Sequence, residues 1–468
     1  MKLKKLSFIS FIYFATLFII VCSNLADEQI HIVILHINDT HGQLLPDENN
    51  NGGIARAGTL IKEIRKNNEG RTIALHAGDE FSRGDNLTTF YNGQVNMLAM
   101  QSAGYDVFVP GNGDFYFGVK NLLAQTSLVK FPTILANVYY KDNGKRIFDP
   151  YIIKEIAGVK IAILGLGFIR TEHPSGWFLE LRDPIQTAKQ FVPKLRQESD
   201  LIIALTHIGL GDDKKLANEV PDIDIIVGGH SHDKLNKPLR IKRKNGEGEV
   251  IIVQAGDYGQ FLGRLDIYLQ KDENGRYKLL KADGRLIPID SSIKEDEEIV
   301  ELLRHYSSAL NEVIYVSKVS LPNPEFGKNP MGEFVTGIIK NWIGTDAVLL
   351  DRSAIQSGIN KGKLTAGDIY KIHPWHNRIL KVSLTGEQLR DFLAKKDVLT
   401  SGCEYTKVDD KVTNLKINSK EADLQKIYNV AMDDFLYSQN FLMNGNSYTE
   451  TGETVSSILM KYFKQNLK

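Results

Sequence analysis

Five places in the chain set an imidazole, carboxylate or amide just after a short aliphatic run: Asp39-Thr40-His41, Gly78-Asp79, Gly111-Asn112, His207 and Gly228-Gly229-His230-Ser231-His232. Side chains alternate along extended backbone, so Asp-X-His and His-X-His each send two donors to one side, where both can reach one locus. The glycines let the chain turn tightly beside them. No cysteine takes part, and nitrogen and oxygen donors of this kind suit Zn, Mn, Fe or Ni better than a soft structural site. Asp39, His41, Asp79, Asn112, His207, His230 and His232 are too many for one tetrahedral ion. They fit two ions about 3.5–4 Å apart with one carboxylate bridging. Each piece alone has a plainer reading as a turn or cap. His31, His36, His76, His305, His373 and His376 get the plain reading of partly buried or core histidine.

The elements that must position these residues follow from periodicity. Residues 30–290 alternate strand-like and helix-like stretches: Ile30 to Ile37, helical spacing at Ile54, Ala57, Leu60, Ile61 and Ile64, then Thr72 to Ala77, residues 93–103 and Val107 to Val109. Further apolar runs occupy 161–166, 201–206 and 223–227. This order predicts an α/β layered fold, in which ligands gather beyond the carboxyl ends of the strands. Residues 291–312 read as a charged connecting helix after Pro288, and 313–468 as a second, smaller α/β domain. Capping spacing at Thr365/Asp368 and Thr385/Gln388 marks two helix starts there. The polar stretch 404–423 reads as a surface loop or hairpin.

Charge and compartment narrow the function classes. The 468 residues carry 57 basic and 57 acidic side chains, a net charge of zero, so no global basic field exists to hold nucleic acid. Lys2, Lys4 and Lys5 precede an uncharged run from Leu6 to Val21 and then small residues before Asp27 and Glu28, a secretory signal pattern over 1–26. The run is short for a membrane anchor of about 20 residues. Cleavage after Ser23 or Ala26 leaves a small residue at the cut; alternatively Cys22 is the lipidated first residue of a lipoprotein, although Val21 is a poor match to the small residue usual before it. With Cys403 as the other cysteine, the mature chain offers no intramolecular disulfide.

The stretches ILHINDTHGQLLP, GGIARAGTLI, ALHAGDEF, GYDVFVPGNGDF, LTHIGLGDD and GGHSH together resemble the calcineurin-like metallophosphoesterases, and the whole chain resembles the 5'-nucleotidase and UDP-sugar hydrolase family. The resemblance implies a four-layer β-sandwich flanked by helices over 29–290, a linker helix, and a substrate-binding domain. It implies two divalent ions (Zn, Mn, Co or similar). One would be held by Asp39, His41, Asp79 and His232, the other by Asp79, Asn112, His207 and His230, with Asp79 as the bridge. It also implies a metal-activated water attacking a small-molecule phosphoester of nucleotide type, in an exported protein of the periplasm, cell surface or medium.

The chain departs from that family at telling positions. Where the family has Gly-Asn-His-Glu-Phe-Asp, this chain reads Gly111-Asn112-Gly113-Asp114-Phe115-Tyr116, so both members of the His–Asp dyad are missing. Acid–base assistance is commonly worth about 10²–10⁴ in rate. The nearest replacements the sequence offers are Asp114 and His173. In the second domain Gln356 stands where a phosphate-gripping Arg is expected, and Arg352 would face the opposite way if the segment is extended. Trp375 and Phe435 stand at the two aromatic positions that clamp a base, but the ribose-binding Gly-Gly-Asp-Gly stretch is missing. Besides a phosphoester hydrolase, a metal-binding pseudoenzyme and a thiosulfohydrolase-like hydrolase are therefore open readings.

Overall fold

A computed structural model describes residues 29–466 apart from 83, 244–247, 376 and 442–445. The signal, cleavage and Cys22 expectations, and that for His376, lie outside the described residues. Among the described residues, no helix is long and apolar enough to cross a membrane.

Two sheets form the first half. One has five strands in the order Tyr277–Pro288, Phe261–Lys271, Ile30–Ile37, Thr72–His76 and Val107–Phe108. The other has six, in the order Leu239–Lys242, Glu249–Val253, Ile225–Val227, Leu201–His207, Val159–Gly167 and Tyr151–Ile156. Their near-continuous Val, Ile and Leu runs are what strands covered on both faces require. Ile34, Leu75, Ile163, Ile203 and Ile225 share one core between the sheets, while the Pro184–Glu198 and Leu210–Glu219 helices cover the outer side of the second sheet. Sheets and helices make the mixed α/β layers that the alternating pattern implies.

Register brings the strand ends into step. Ile37 lies opposite His76, and His76 opposite Phe108, all in parallel. The chain then runs two residues to Asp39, three to Asp79 and four to Asn112, so all three project from one edge. In the second sheet Leu205 pairs with Val227 in parallel, which carries His207 and the 230–232 turn to the same edge.

The Glu297–Leu310 helix begins at Asp296, whose carboxylate accepts from the Ile299 amide. It is seated on the first half rather than suspended between halves: Ile299 and Leu303 belong to that core, and a Cβ at Gly58 would meet Ile299 Cδ1 at 2.4 Å. The second half is built on a five-stranded sheet ordered Val398–Ser401, Ala347–Asp351, Ile427–Asp433, Arg378–Thr385 and Tyr448–Thr454, with a separate core on each face. Both expected capping boxes form, Thr365 with Asp368 and Thr385 with Gln388. The polar 404–423 stretch is a small three-stranded sheet, Cys403–Val408, Lys411–Ile417 and Lys420–Glu421. The 352–354 segment is not extended: it is a turn of 3-10 helix, because Asp351 accepts from the Ser353 amide and hydroxyl and curls the chain. The alternation argument for Arg352 therefore does not apply, and its guanidinium reaches Asp397 instead.

Candidate metal centre

Asp39, His41 and His232 form one ligand-capable group, and Asp39, Asp79 and His207 another. Asp39 Oδ1 lies 3.4 Å from His232 Nε2 and 3.9 Å from both His41 Nε2 and His207 Nε2. Asp79 faces both groups with different oxygens: Oδ1 is 3.3 Å from His207 Nε2, and Oδ2 is 3.8 Å from His41 Nδ1. The His41 and His232 Nε2 atoms converge to 2.9 Å. His230 sits at the rim, its ring centre 5.1 Å from that of His207 and its amide donating to Asp39 Oδ2 at 2.8 Å. Asn112 is nine-tenths buried, with its Oδ1 lacking a hydrogen-bond partner.

The backbone is strained where the donors are. Asp39, His41, Asp79, His230 and His232 all have positive φ, between 51° and 80°. Non-glycine residues adopt that region sparingly, and clusters of such strain mark functional sites. Two glycines permit the close approach. A Cβ on Gly111 would fall 2.3 Å from Asp79 Oδ1, and the Gly113 amide donates to the same oxygen at 2.6 Å.

A second ring of contacts aims the imidazoles. His207 Nδ1 bonds the Ala77 carbonyl at 2.7 Å, His41 Nδ1 bonds Ser82 Oγ at 2.9 Å, and His232 Nδ1 lies 3.2 Å from Asp257. In each ring the Nδ1 atom is engaged and Nε2 turns inward, the arrangement that fixes metal-ligating histidines. Sequence reasoning missed Ser82 and Asp257, and also Glu80, which is buried between His76 at 3.0 Å and the hydroxyl of Thr40 and accepts from Asn96. The plain reading of His76 therefore understates it: His76 braces the loop carrying Asp79.

The electrostatics fit a cation. Burial opposes charge on His207, yet Asp79 and Asp39 outweigh it and hold the imidazole up at about 10. Burial likewise works against ionised Asp79, but His207 and the bonds from it keep the carboxyl well below its usual range. Buried Asp39 Oδ1 and His207 Nε2 have no hydrogen-bond partner. Two buried carboxylates and unpartnered donor atoms are costly without a counter-charge, and a divalent ion supplies one. An Asp257→Asn variant is expected to bind metal about 10–100-fold more weakly, measured by chelator competition with bound metal quantified.

The other sequence candidates are placed as follows. Asp114 accepts four backbone amides, from Asp79, Glu80, Phe81 and Gly111, all at 2.7–2.8 Å. Both its oxygens are committed to holding the two ligand loops together. The Tyr116 hydroxyl accepts from Asn112 Nδ2 at 3.2 Å. Its ring packs on His173 at 4.8 Å, and His173 lies 6.1 Å from Phe435 of the second half. Phe435 is 41% exposed. Gln356 spends its amide on the Ser353 carbonyl at 2.5 Å. Trp375 is half-buried on the turn before the Arg378–Thr385 strand, its carbonyl accepting from His373.

Comparison with known proteins agrees with this geometry. The calcineurin-like phosphoesterase model matches residues 32–234, and the 5'-nucleotidase C-terminal domain model matches 308–443. The 5'-nucleotidase of Vibrio cholerae is 27% identical over 94% of this chain and 91% of its own length. The UshA protein of Escherichia coli is 26% identical over 94% and 92%. The solved 5'-nucleotidase precursor of Thermus thermophilus superposes with a TM-score of 0.62 at 24% identity, over 94% of this chain and 97% of that one, a likeness of fold. With both domain models matched in order, the chain belongs to the calcineurin-like, metal-dependent phosphoesterases that carry a 5'-nucleotidase C-terminal domain.

Proposed function

We propose that the chain is an exported, dinuclear metal-dependent hydrolase of nucleotide-type phosphoesters. The observation that carries this is the pair of ligand-capable groups that share Asp39, with Asp79 in the second of them and its Oδ2 3.8 Å from His41 of the first. One ion would be held by Asp39, His41, Asp79 and His232, the other by Asp79, Asn112, His207 and His230. Bound divalent ions supply the Lewis acidity for activating water and polarising a phosphoryl oxygen. The chain's own residues do the rest. Ser82, Asp257 and Ala77 hold the imidazoles in line, and Asp114 ties the Asp79 and Asn112 loops to each other. Phe435 and Trp375 offer aromatic faces for a base. Nucleotide as the substrate class is supported by the relatives' names, and export by the Lys2–Ala26 pattern, with Cys22 as a lipid-anchor alternative.

The test is purified mature protein, supplied with Mn²⁺, Zn²⁺ or Co²⁺, on a panel of nucleotides, sugar nucleotides, aryl phosphates and sulfur esters. Metal-dependent turnover of phosphoesters is expected; none above an Asp79→Ala control would defeat the proposal, and turnover of sulfur esters alone would favour the thiosulfohydrolase reading. A second reading, a binding protein without turnover, is favoured by Gln356, whose amide is spent within its own loop where a phosphate-binding Arg would serve. It predicts nucleotide binding at micromolar concentration with no product.

A further inference from the structure

We propose that Tyr116 is a catalytic residue of this site: its phenol O–H donates a hydrogen bond to the leaving-group oxygen, a task the missing His–Asp pair cannot perform here. The inference rests on the proposed phosphoester hydrolysis. Three observations carry it.

The first is which groups the structure disqualifies. Gly113 has no side chain, and Asp114 has both oxygens committed to four amides. His173 bonds Ser175 through Nδ1, and burial, with Arg170 and Arg378 near, brings it down to about 4. It is a neutral ring near neutrality, without the imidazolium proton that a general acid would transfer.

The second is where the phenol lies. The short 3-10 turn Gly113–Phe115 returns the chain so that residue 116 stands over residue 112. The hydroxyl of Tyr116 accepts from Asn112 Nδ2 at 3.2 Å, while Asn112 Oδ1 stays free of hydrogen bonds. A hydroxyl that accepts from an amide keeps its own hydrogen to give. Tyr116 is half-buried at the edge of the ligand cluster, so that hydrogen can face a bound ester.

The third is rigidity. The phenol ring lies against His173 at 4.8 Å, and His173 is in turn backed by Phe435 from the second half. The hydroxyl is therefore held, and held on the side from which the C-terminal half would present a substrate.

In the reaction a water oxygen bonds to phosphorus as the ester P–O bond breaks. The leaving oxygen departs as the alcohol, its proton coming from that water by way of solvent. Tyr116 remains protonated throughout and shields the charge that grows on the leaving oxygen. Such a bond matters most when the leaving group is a poor one.

Tyr116→Phe removes the hydroxyl and keeps the ring that packs on His173. On a nucleoside monophosphate, whose leaving group is an alkoxide, we expect kcat to fall about 10²-fold, the scale of one lost transition-state donor, with KM nearly unchanged. On p-nitrophenyl phosphate, a good leaving group, the fall should stay within about threefold. Bound metal, measured by mass spectrometry, should equal that of the unaltered protein. Equal losses on both substrates, or a loss of bound metal, would assign Tyr116 only to holding Asn112 and overturn the proposal. An unchanged kcat on both would overturn it as well. Absence of metal-dependent turnover in the unaltered protein would overturn both this inference and the proposed function, whereas an active protein with an indifferent Tyr116→Phe would overturn this inference alone.

Discussion

Asp79→Asn is expected to lower metal-dependent turnover by at least about 10³-fold, because a bound ion contributes several kcal/mol of transition-state stabilisation. Asp79 is the carboxylate whose two oxygens face different imidazoles, Oδ1 toward His207 and Oδ2 toward His41. Neutralising it weakens both candidate ion positions together. Asn is the more informative substitution: residue 79 has φ 56°, a conformation Asn adopts more readily than Ala. The backbone of the loop, pinned by the Asp114 bonds to the amides of residues 79–81, should survive. The measurement is bound metal per chain alongside kcat, with thermal unfolding run with and without Mn²⁺. A ligand that binds the folded state raises the unfolding midpoint, so the unaltered protein should gain stability with metal and the variant should gain little. A variant that kept two ions and its activity would remove Asp79 from the proposed bridging role. The comparison with Asp39→Asn then matters, since Asp39 Oδ1 also reaches toward three imidazoles.

Much of this was legible from sequence because the signal is a joint one. Donors at the ends of Ile30–Ile37, Thr72–His76, Val107–Phe108, Leu201–His207 and Ile225–Val227 read as one site only if the strands are parallel and aligned, and the register aligns them. Capping boxes at Thr365 and Thr385 were legible because they are local. What was hidden depends on contacts distant in sequence or on small local folds. Asp257 reaches His232 from the turn after the Glu249–Val253 strand, and nothing in its own neighbourhood marks it. Glu80 is 2% exposed and joined to His76, Thr40 and Asn96, contacts that its place beside Asp79 does not announce. Whether the Arg352 segment is extended was not legible, because one Asp side chain, bonding two residues ahead, curls the chain.

The missing dyad carries the other large expected effect, and Ser82 decides its outcome. A Cβ placed on Gly113 would come within 2.7 Å of Ser82 Cβ, 2.5 Å of Ser82 Oγ and 3.1 Å of Asp79 Oδ1. Ser82 is 4% exposed and bonds His41 Nδ1, so it cannot simply turn away. Gly113→His alone, or together with Tyr116→Asp, is therefore expected to disturb Asp79 and His41 and to lose activity rather than gain it. Serine has filled the space a side chain at 113 needs, and the replacement of the dyad is thus fixed by its neighbour. Removing that obstacle changes the sign. The triple variant Gly113→His, Tyr116→Asp, Ser82→Gly should exceed Tyr116→Phe, which has neither donor, by about 10²–10⁴ in kcat on an alkyl phosphoester, the usual worth of positioned proton transfer. Loss of the Ser82 bond to His41 would weaken metal binding about 10–100-fold, so the comparison is made at saturating Mn²⁺. A gain from Gly113→His alone would show that the Ser82 contact yields easily and that the space is not the constraint. No gain in the triple variant at saturating metal would place the limit elsewhere, at the substrate contacts that Gln356 does not supply.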